Sequence, residues 1–210
     1  MTTPTEVPRT VGVFLFEGFE PLDVFGPVQM LGALRDQFHV VMLGPEAERP
    51  VTSSLGQRVL ADRAWDDAAP LDIIMVPGGQ GTRVEVANAR LLTAVRRHAE
   101  TSELVTSVCT GAAILAAAGL LDGRRATSNK RAFAWVQSQG PAVEWIAEAR
   151  WVEDGHYVTS GGVAAGIDMA LYLIARLHGT ELAEQLASRL EYRWNSSASD
   201  DPFAAYQGLV

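Results

Sequence analysis

The twelve residues Leu104-Val105-Thr106-Ser107-Val108-Cys109-Thr110-Gly111-Ala112-Ala113-Ile114-Leu115 leave this chain little choice of local fold. Val105, Thr106 and Val108 suit a buried strand. Ala112 to Ala118 is strongly helix-forming, and Gly119 is a natural stop. The turn between them must be abrupt, and Gly111 reads as the residue that lets the backbone make it. Cys109, the sole cysteine, sits at the corner. A thiol there faces unpaired N–H groups and the positive end of the helix dipole, which favours thiolate. The same N–H groups can hold a developing anion. This is the pattern of a nucleophile elbow with Cys where hydrolases often carry Ser. A buried structural thiol fits the local pattern equally well, since unpaired cysteines are commonly buried.

The rest of the chain bounds the answer. Its 210 residues fit a single domain, 1–210, with 1–9 and 195–210 expected as flexible or arm-like tails. The formal net charge is −8, with no basic cluster, so nucleic acid is not the expected partner. One cysteine excludes an intrachain disulfide and any multi-cysteine zinc site. Met1 to Arg9 lacks a signal pattern, and the apolar run Ala112 to Leu121 is too short to span a bilayer. A soluble cytoplasmic protein, not bound to membrane, is expected.

Apolar runs alternate with helical periodicity along the chain. Val11 to Phe16, Phe38 to Leu43 and Leu71 to Val76 read as buried strands. Pro21 suits a first helical position, and Leu22, Val24, Phe25, Val28, Met30, Leu31 and Leu34 populate the helix that follows. Pro27 predicts a kink or break near Gly26. Pro50 to Trp65 reads as a small hairpin or edge, and Asn88 as a cap for a helix over Leu91 to Ala99. Further strands are expected at Ala126-Thr127, Val143 to Trp145, Arg150 to Val152 and Tyr157 to Thr159. Helices are expected over Arg131 to Ser138, Ile167 to Leu177 and Glu181 to Tyr192, the last capped by Thr180. The fold class is therefore α/β: a three-layer, flavodoxin-like sandwich with a mainly parallel sheet and helices on both faces.

In such sheets ligands bind beyond the carboxyl ends of the strands. The loops Glu17 to Asp23, Gly78 to Thr82 and Cys109 to Gly111 all leave those ends, and their convergence favours a catalytic Cys109. No G-x-G-x-x-G or Walker pattern follows the first strand, so no nucleotide is implied. Asp23 is the candidate acid, although a first-turn Asp also simply favours a helix start. Ionised, Asp23 disfavours thiolate; protonated, it donates a hydrogen bond to thiolate and can deliver the proton, so the two titrate as a coupled pair. Gly78 and Gly79, with the Thr110 N–H, are candidate donors to a developing negative charge. His39, His98, His156 and His178 are neither adjacent to Cys109 nor spaced for a metal. Trp135, Trp145, Trp151 and Trp194 read as core or interface, and Phe19 and Phe133 as pocket candidates.

Taken together, Glu17 to Pro27, Val76 to Gly79, Val108 to Ala112 and Thr159 to Met169 resemble the ThiJ/PfpI superfamily, whose class I glutamine-amidotransferase-like fold is flavodoxin-like. The resemblance spans Val11 to Tyr192 and runs to its isonitrile hydratase branch, which also resembles the N-terminal domain of some AraC-type regulators. It implies Cys109 as nucleophile, Asp23 as its acid/base partner, Gly78, Gly79, Thr110 and Gly111 as oxyanion or substrate-binding residues, no metal or organic cofactor, a small-molecule substrate and a homodimer. The apolar positions Phe25, Val28 and Leu31 of the first helix read as the dimer face. Protease-like members carry His directly after Cys; Thr110 stands there instead, which argues against peptidase activity. Many close relatives carry His-Trp where this chain has Asn129-Lys130, which changes a pocket-side position. No helix-turn-helix pattern follows Tyr192, so a complete regulator is not expected. The activity implied is hydration of an isonitrile to an N-substituted formamide through a Cys109 thioimidate. The alternatives are a cysteine-based redox or ligand sensor without turnover, and glyoxalase-type work on 2-oxoaldehydes.

Overall fold

The computed structural model describes residues 7–210. The expected tail at 1–9 falls largely outside these, and Arg9 already belongs to the first strand, β1 (Arg9–Phe14). It is followed by α1 (Pro21–Gly32) and β2 (Phe38–Gly44), then by the hairpin β3 (Pro50–Thr52) and β4 (Arg58–Leu60) and the edge strand β5 (Arg63–Ala64). Next come β6 (Ile73–Val76), α2 (Thr82–Glu85), α3 (Ala89–Ala99), β7 (Leu104–Val108) and α4 (Gly111–Ala117). The remainder is β8 (Arg125–Ala126), α5 (Phe133–Gln139), β9 (Glu144–Trp145), β10 (Trp151–Asp154), β11 (Tyr157–Ser160), α6 (Ala165–His178), α7 (Thr180–Arg189) and α8 (Phe203–Tyr206).

Seven strands form one sheet in the order β10-β11-β7-β6-β1-β2-β5, parallel throughout except for β10. The crossover from β1 to β2 runs toward one edge, and those from β6 to β7 and β7 to β11 run toward the other. Right-handed crossovers then put α1 on one face and α3 and α4 on the opposite face. The helices group accordingly: α1 packs on α6 and α6 on α7, while α3 and α5 pack on α4. The topological switch point falls between β1 and β6, where a doubly wound sheet opens its crevice. β1, β6 and β7 are covered on both faces, with Val11, Val13, Ile73, Ile74, Met75, Leu104 and Val105 fully buried, hence their unbroken apolar runs.

Several local expectations need correction. α1 continues through Pro27. The proline removes one backbone bond, but Gly26 and Pro27 lie on the buried face of α1, where they meet Ile167 and Gly166 of α6. That close packing offsets the lost bond. Thr180 is the first residue of α7 rather than its cap; Gly179, at φ +96°, makes the turn. Asn88 does cap α3, its side chain accepting from the N–H groups of Arg90 and Leu91. α4 ends in a Schellman motif, with Gly119 N–H bonded to Ala116 O and Leu120 N–H to Leu115 O.

The chain after Asn195 packs against the domain. Arg150 N–H donates to Ala198 O, and Asp201, 6% exposed, pairs with Lys130 at 3.1 Å. Lys130 Nζ also donates to Thr127 Oγ1, Ser128 O and Ala149 O, so one buried ammonium ties the C-terminal segment to the loop after β8. Among the described residues no helix is long and apolar enough to cross a membrane.

Candidate active site

Asp23, Gly78 and Cys109 follow β1, β6 and β7, three adjacent strands, so the sheet itself brings them to the switch point. Asp23 is the sharpest feature. On α1 the carboxylate is fully buried, whereas Leu22 and Phe25 beside it are 43% and 42% exposed. Nothing about a helix start requires that inversion. Gly78 N–H donates to Asp23 Oδ2 at 2.9 Å, and Oδ1 is buried without a well-formed hydrogen bond. The carboxyl and the Cys109 thiol lie within interaction range of each other. Burial, reinforced by the Glu20 charge, raises Asp23 from 3.8 to about 8 against the opposing pull of the Gly78 N–H.

Cys109 carries the strain that the sequence reading gave to Gly111. Its φ is +57°, a conformation unusual for a non-glycine residue and typical of a nucleophile elbow. The backbone is held there from both sides: Cys109 N–H donates to Ser160 O and Gly161 O, and Cys109 O accepts from Ser128 Oγ at 2.7 Å. Gly111 serves close approach instead, since a Cβ there would lie 2.1 Å from Val76 O. The expected bias toward thiolate is also overturned. Burial first, then the Asp23 charge, push the thiol well above its ordinary value, outweighing the Thr110 N–H and hydroxyl that favour thiolate.

The glycine pair is placed differently from expectation too. Gly78 N–H is engaged by Asp23, and Gly79 N–H donates to Thr110 Oγ1 at 3.1 Å. The third expected donor, the Thr110 N–H, acts on the Cys109 sulfur and favours its thiolate. Gly78 is better explained by space. A Cβ there would stand 2.6 Å from Thr110 N and 2.8 Å from Asp23 Oδ2. Gly78→Ala is therefore expected to push the acid and the elbow apart and cut turnover by about 10²-fold, as misplacements of about 1 Å do. Near-wild-type turnover in steady-state assays of that variant would show that the close approach is not needed.

Cys109 opens into a cleft of about 460 Å³. Thr110, Asn129, Trp135, Arg83, Arg131 and Glu20 line it. The aromatic lining differs from the sequence expectation. Phe19 is fully buried and Phe133 is 3% exposed, both in the interior, whereas Trp135 faces the cleft. Helix periodicity alone could not say which face of α5 meets the cleft. Gly162, after β11, read from sequence only as part of the Thr159 to Met169 stretch, adjoins the site: a Cβ there would meet Asn129 Nδ2 at 2.3 Å and Cys109 Sγ at 2.9 Å. Among the described residues no histidine lines the cleft; His98 is buried, with Nε2 3.2 Å from Trp65 O. Among the described residues no cluster of three His, Cys, Asp or Glu could hold a metal.

A parallel sheet with a strained cysteine at the switch point and a buried acid beside it defines a cysteine-elbow α/β protein. Residues 9–176 match the DJ-1/PfpI family, and the chain belongs to that family. It is 38% identical over 183 residues to the isonitrile hydratase of Pseudomonas putida, covering 87% of this chain and 78% of that one. It is 29% identical to the HTH-type transcriptional regulator GbdR of Pseudomonas aeruginosa over 88% of this chain, but spans only 51% of the regulator. Among solved structures, a ThiJ/PfpI family protein from Pseudomonas syringae superposes with a TM-score of 0.82 at 28% identity, covering 100% of this chain and 88% of that one.

Proposed function

We propose that this protein hydrates an isonitrile to an N-substituted formamide. The observation that carries the reading is the buried Asp23 carboxyl, raised to about 8 and set against the Cys109 thiol. The similarity to an isonitrile hydratase over most of the chain supports it. In the reactive form the pair holds one proton, with Cys109 as thiolate and Asp23 as acid. Sulfur bonds to the terminal isonitrile carbon while Asp23 protonates that carbon, giving a thioimidate, R–N=CH–S–Cys109. Water then adds to the thioimidate carbon. Asp23 takes the water's proton and passes it to nitrogen. The C–S bond breaks as the hydroxyl proton returns to Asp23, releasing R–NH–CHO and restoring the thiolate and acid. One water is consumed, and Asp23 is acid and base in turn.

The alternatives fit less well. A redox sensor would leave isonitriles unturned and gain two oxygens on Cys109 under mild peroxide, a result that would replace this reading. Glyoxalase-type chemistry would gain from a histidine base, and the lining of the cleft supplies none. The same reading includes a homodimer, supported by Leu22 and Phe25 side by side on the exposed face of α1; Leu31, expected there from sequence, is in the core. It also includes a cytoplasmic location, consistent with a lone reduced thiol.

Purified protein with cyclohexyl isocyanide should yield N-cyclohexylformamide, and Cys109→Ala should abolish it. No formamide at high enzyme concentration would remove this substrate, and full activity in Cys109→Ala would remove the mechanism.

A further inference from the structure

Two arginines line the Cys109 cleft, and neither forms an ion pair with a carboxylate among the described residues. The chain as a whole carries a formal charge of −8, so a cationic cleft is not a by-product of composition. The one acid on the lining, Glu20, is turned to Ser54, whose hydroxyl donates to its Oε2 at 3.1 Å. Two arginines against one glutamate leave a formal excess of one positive charge beside a nucleophile that rests protonated.

Arg83 is also set in position. Its guanidinium carbon lies 4.1 Å from the centroid of the Trp135 ring. Its Nη1 donates to Gly79 O at 3.3 Å and approaches Thr82 Oγ1 at 3.1 Å. Among the described residues Nε and Nη2 have no hydrogen-bond partner, so a planar edge with two parallel N–H groups remains for a ligand. Stacked, tethered and carrying an open fork, this is the arrangement in which arginine binds a planar anion bidentately. Arg131, on the same lining, adds a second cation.

We propose that the cleft takes isonitriles whose substituent ends in a carboxylate, with Arg83 and Arg131 holding that group while the isocyano carbon reaches Cys109. This rests on the hydration reading above and names its substrate class. One negative charge balances the excess on the lining, and a carboxylate matches the flat edge of Arg83. Trp135 covers the apolar part of the substituent.

Steady-state kinetics with 4-isocyanobutanoate and its methyl ester test the proposal. The acid should show a KM about tenfold or more below that of the ester, the worth of hydrogen bonds to a charged group. The advantage should shrink in 0.5 M NaCl and largely vanish in Arg83→Gln and Arg131→Gln. Arg83→Lys should keep only part of it, since lysine lacks the fork and the stack. Equal KM values for acid and ester would overturn the proposal while leaving hydration intact. So would arginine variants that change both substrates in the same ratio. Calorimetric binding of the product acid, 4-formamidobutanoate, to Cys109→Ala gives a readout without turnover. Arginine-dependent binding there with no turnover of either isonitrile would uphold the anion site and remove the hydration reading. Binding of inorganic phosphate in preference to the carboxylate would overturn the choice of anion.

Discussion

Asp23→Asn is expected to lower formamide turnover by about 10²–10⁴, the usual worth of a positioned acid–base group, while making the folded protein more stable. Shape alone predicts no change in stability, because Asn matches Asp and can still accept from Gly78 N–H. Charge predicts otherwise. Asp23 is raised from 3.8 to about 8, so the folded protein keeps a proton that the unfolded chain gives up. The unfolded state then binds fewer protons between those two values, and stability falls as pH rises across that window. Asn has no proton to lose. The variant should therefore gain on the wild type between pH 4 and 8 by on the order of a few kcal/mol, read by urea unfolding at several pH values. A stability difference that does not vary with pH would mean that Asp23 is not the buried acid described here. The double variant with Cys109→Ala should turn over no more slowly than Cys109→Ala alone, since residues acting as a unit are not additive.

Asp201→Ala is expected to cost about 3–5 kcal/mol, because it leaves the Lys130 ammonium buried without its counter-ion. The two side chains are 4% and 3% exposed, and burial already pulls the Lys130 pKa down against the support of Asp201. Replacing both charges, as Lys130→Met with Asp201→Leu, should recover most of the loss, since a buried ion pair is roughly matched by apolar packing of similar volume. Urea unfolding of the two variants decides the matter. If Asp201→Ala costs less than about 1 kcal/mol, as a surface pair does, the C-terminal segment is not a structural tie. The pair matters for the site because Lys130 adjoins Asn129, which lines the cleft, and Ser128, which holds the Cys109 carbonyl.

The sheet and the elbow were legible because their signals are local. Unbroken apolar runs mark strands covered on both faces, and three chemically distinctive loops follow three of them. Asp23 and Cys109 were legible as candidates for the same reason. Their electrostatics were not, since the thiolate expected from a helix N-terminus gives way to burial and a neighbouring acid supplied by a helix distant in sequence. The positive φ fell on Cys109 rather than Gly111 because the choice is made by bonds from Ser160, Gly161 and Ser128, all remote in sequence. Arg83 was not singled out, Trp135 read only as core or interface and Gly162 only as part of a family stretch, because ordinary residue types become site residues only through packing. The tie between Lys130 and Asp201 joins positions 71 apart, a separation at which sequence pattern is silent.

The central claim is that Asp23 and Cys109 hold their protons jointly. The pH dependence of Cys109 alkylation by iodoacetamide tests it most directly, because it needs no substrate and reads the thiolate itself. The wild type should alkylate only above the ordinary thiol range, because the Asp23 charge that forms near pH 8 opposes thiolate. Asp23→Asn should move the alkylation step to lower pH, since no carboxylate charge then stands against the sulfur. Superimposable profiles for the two proteins would contradict the claim and leave Asp23 as a helix-start residue beside an independent thiol.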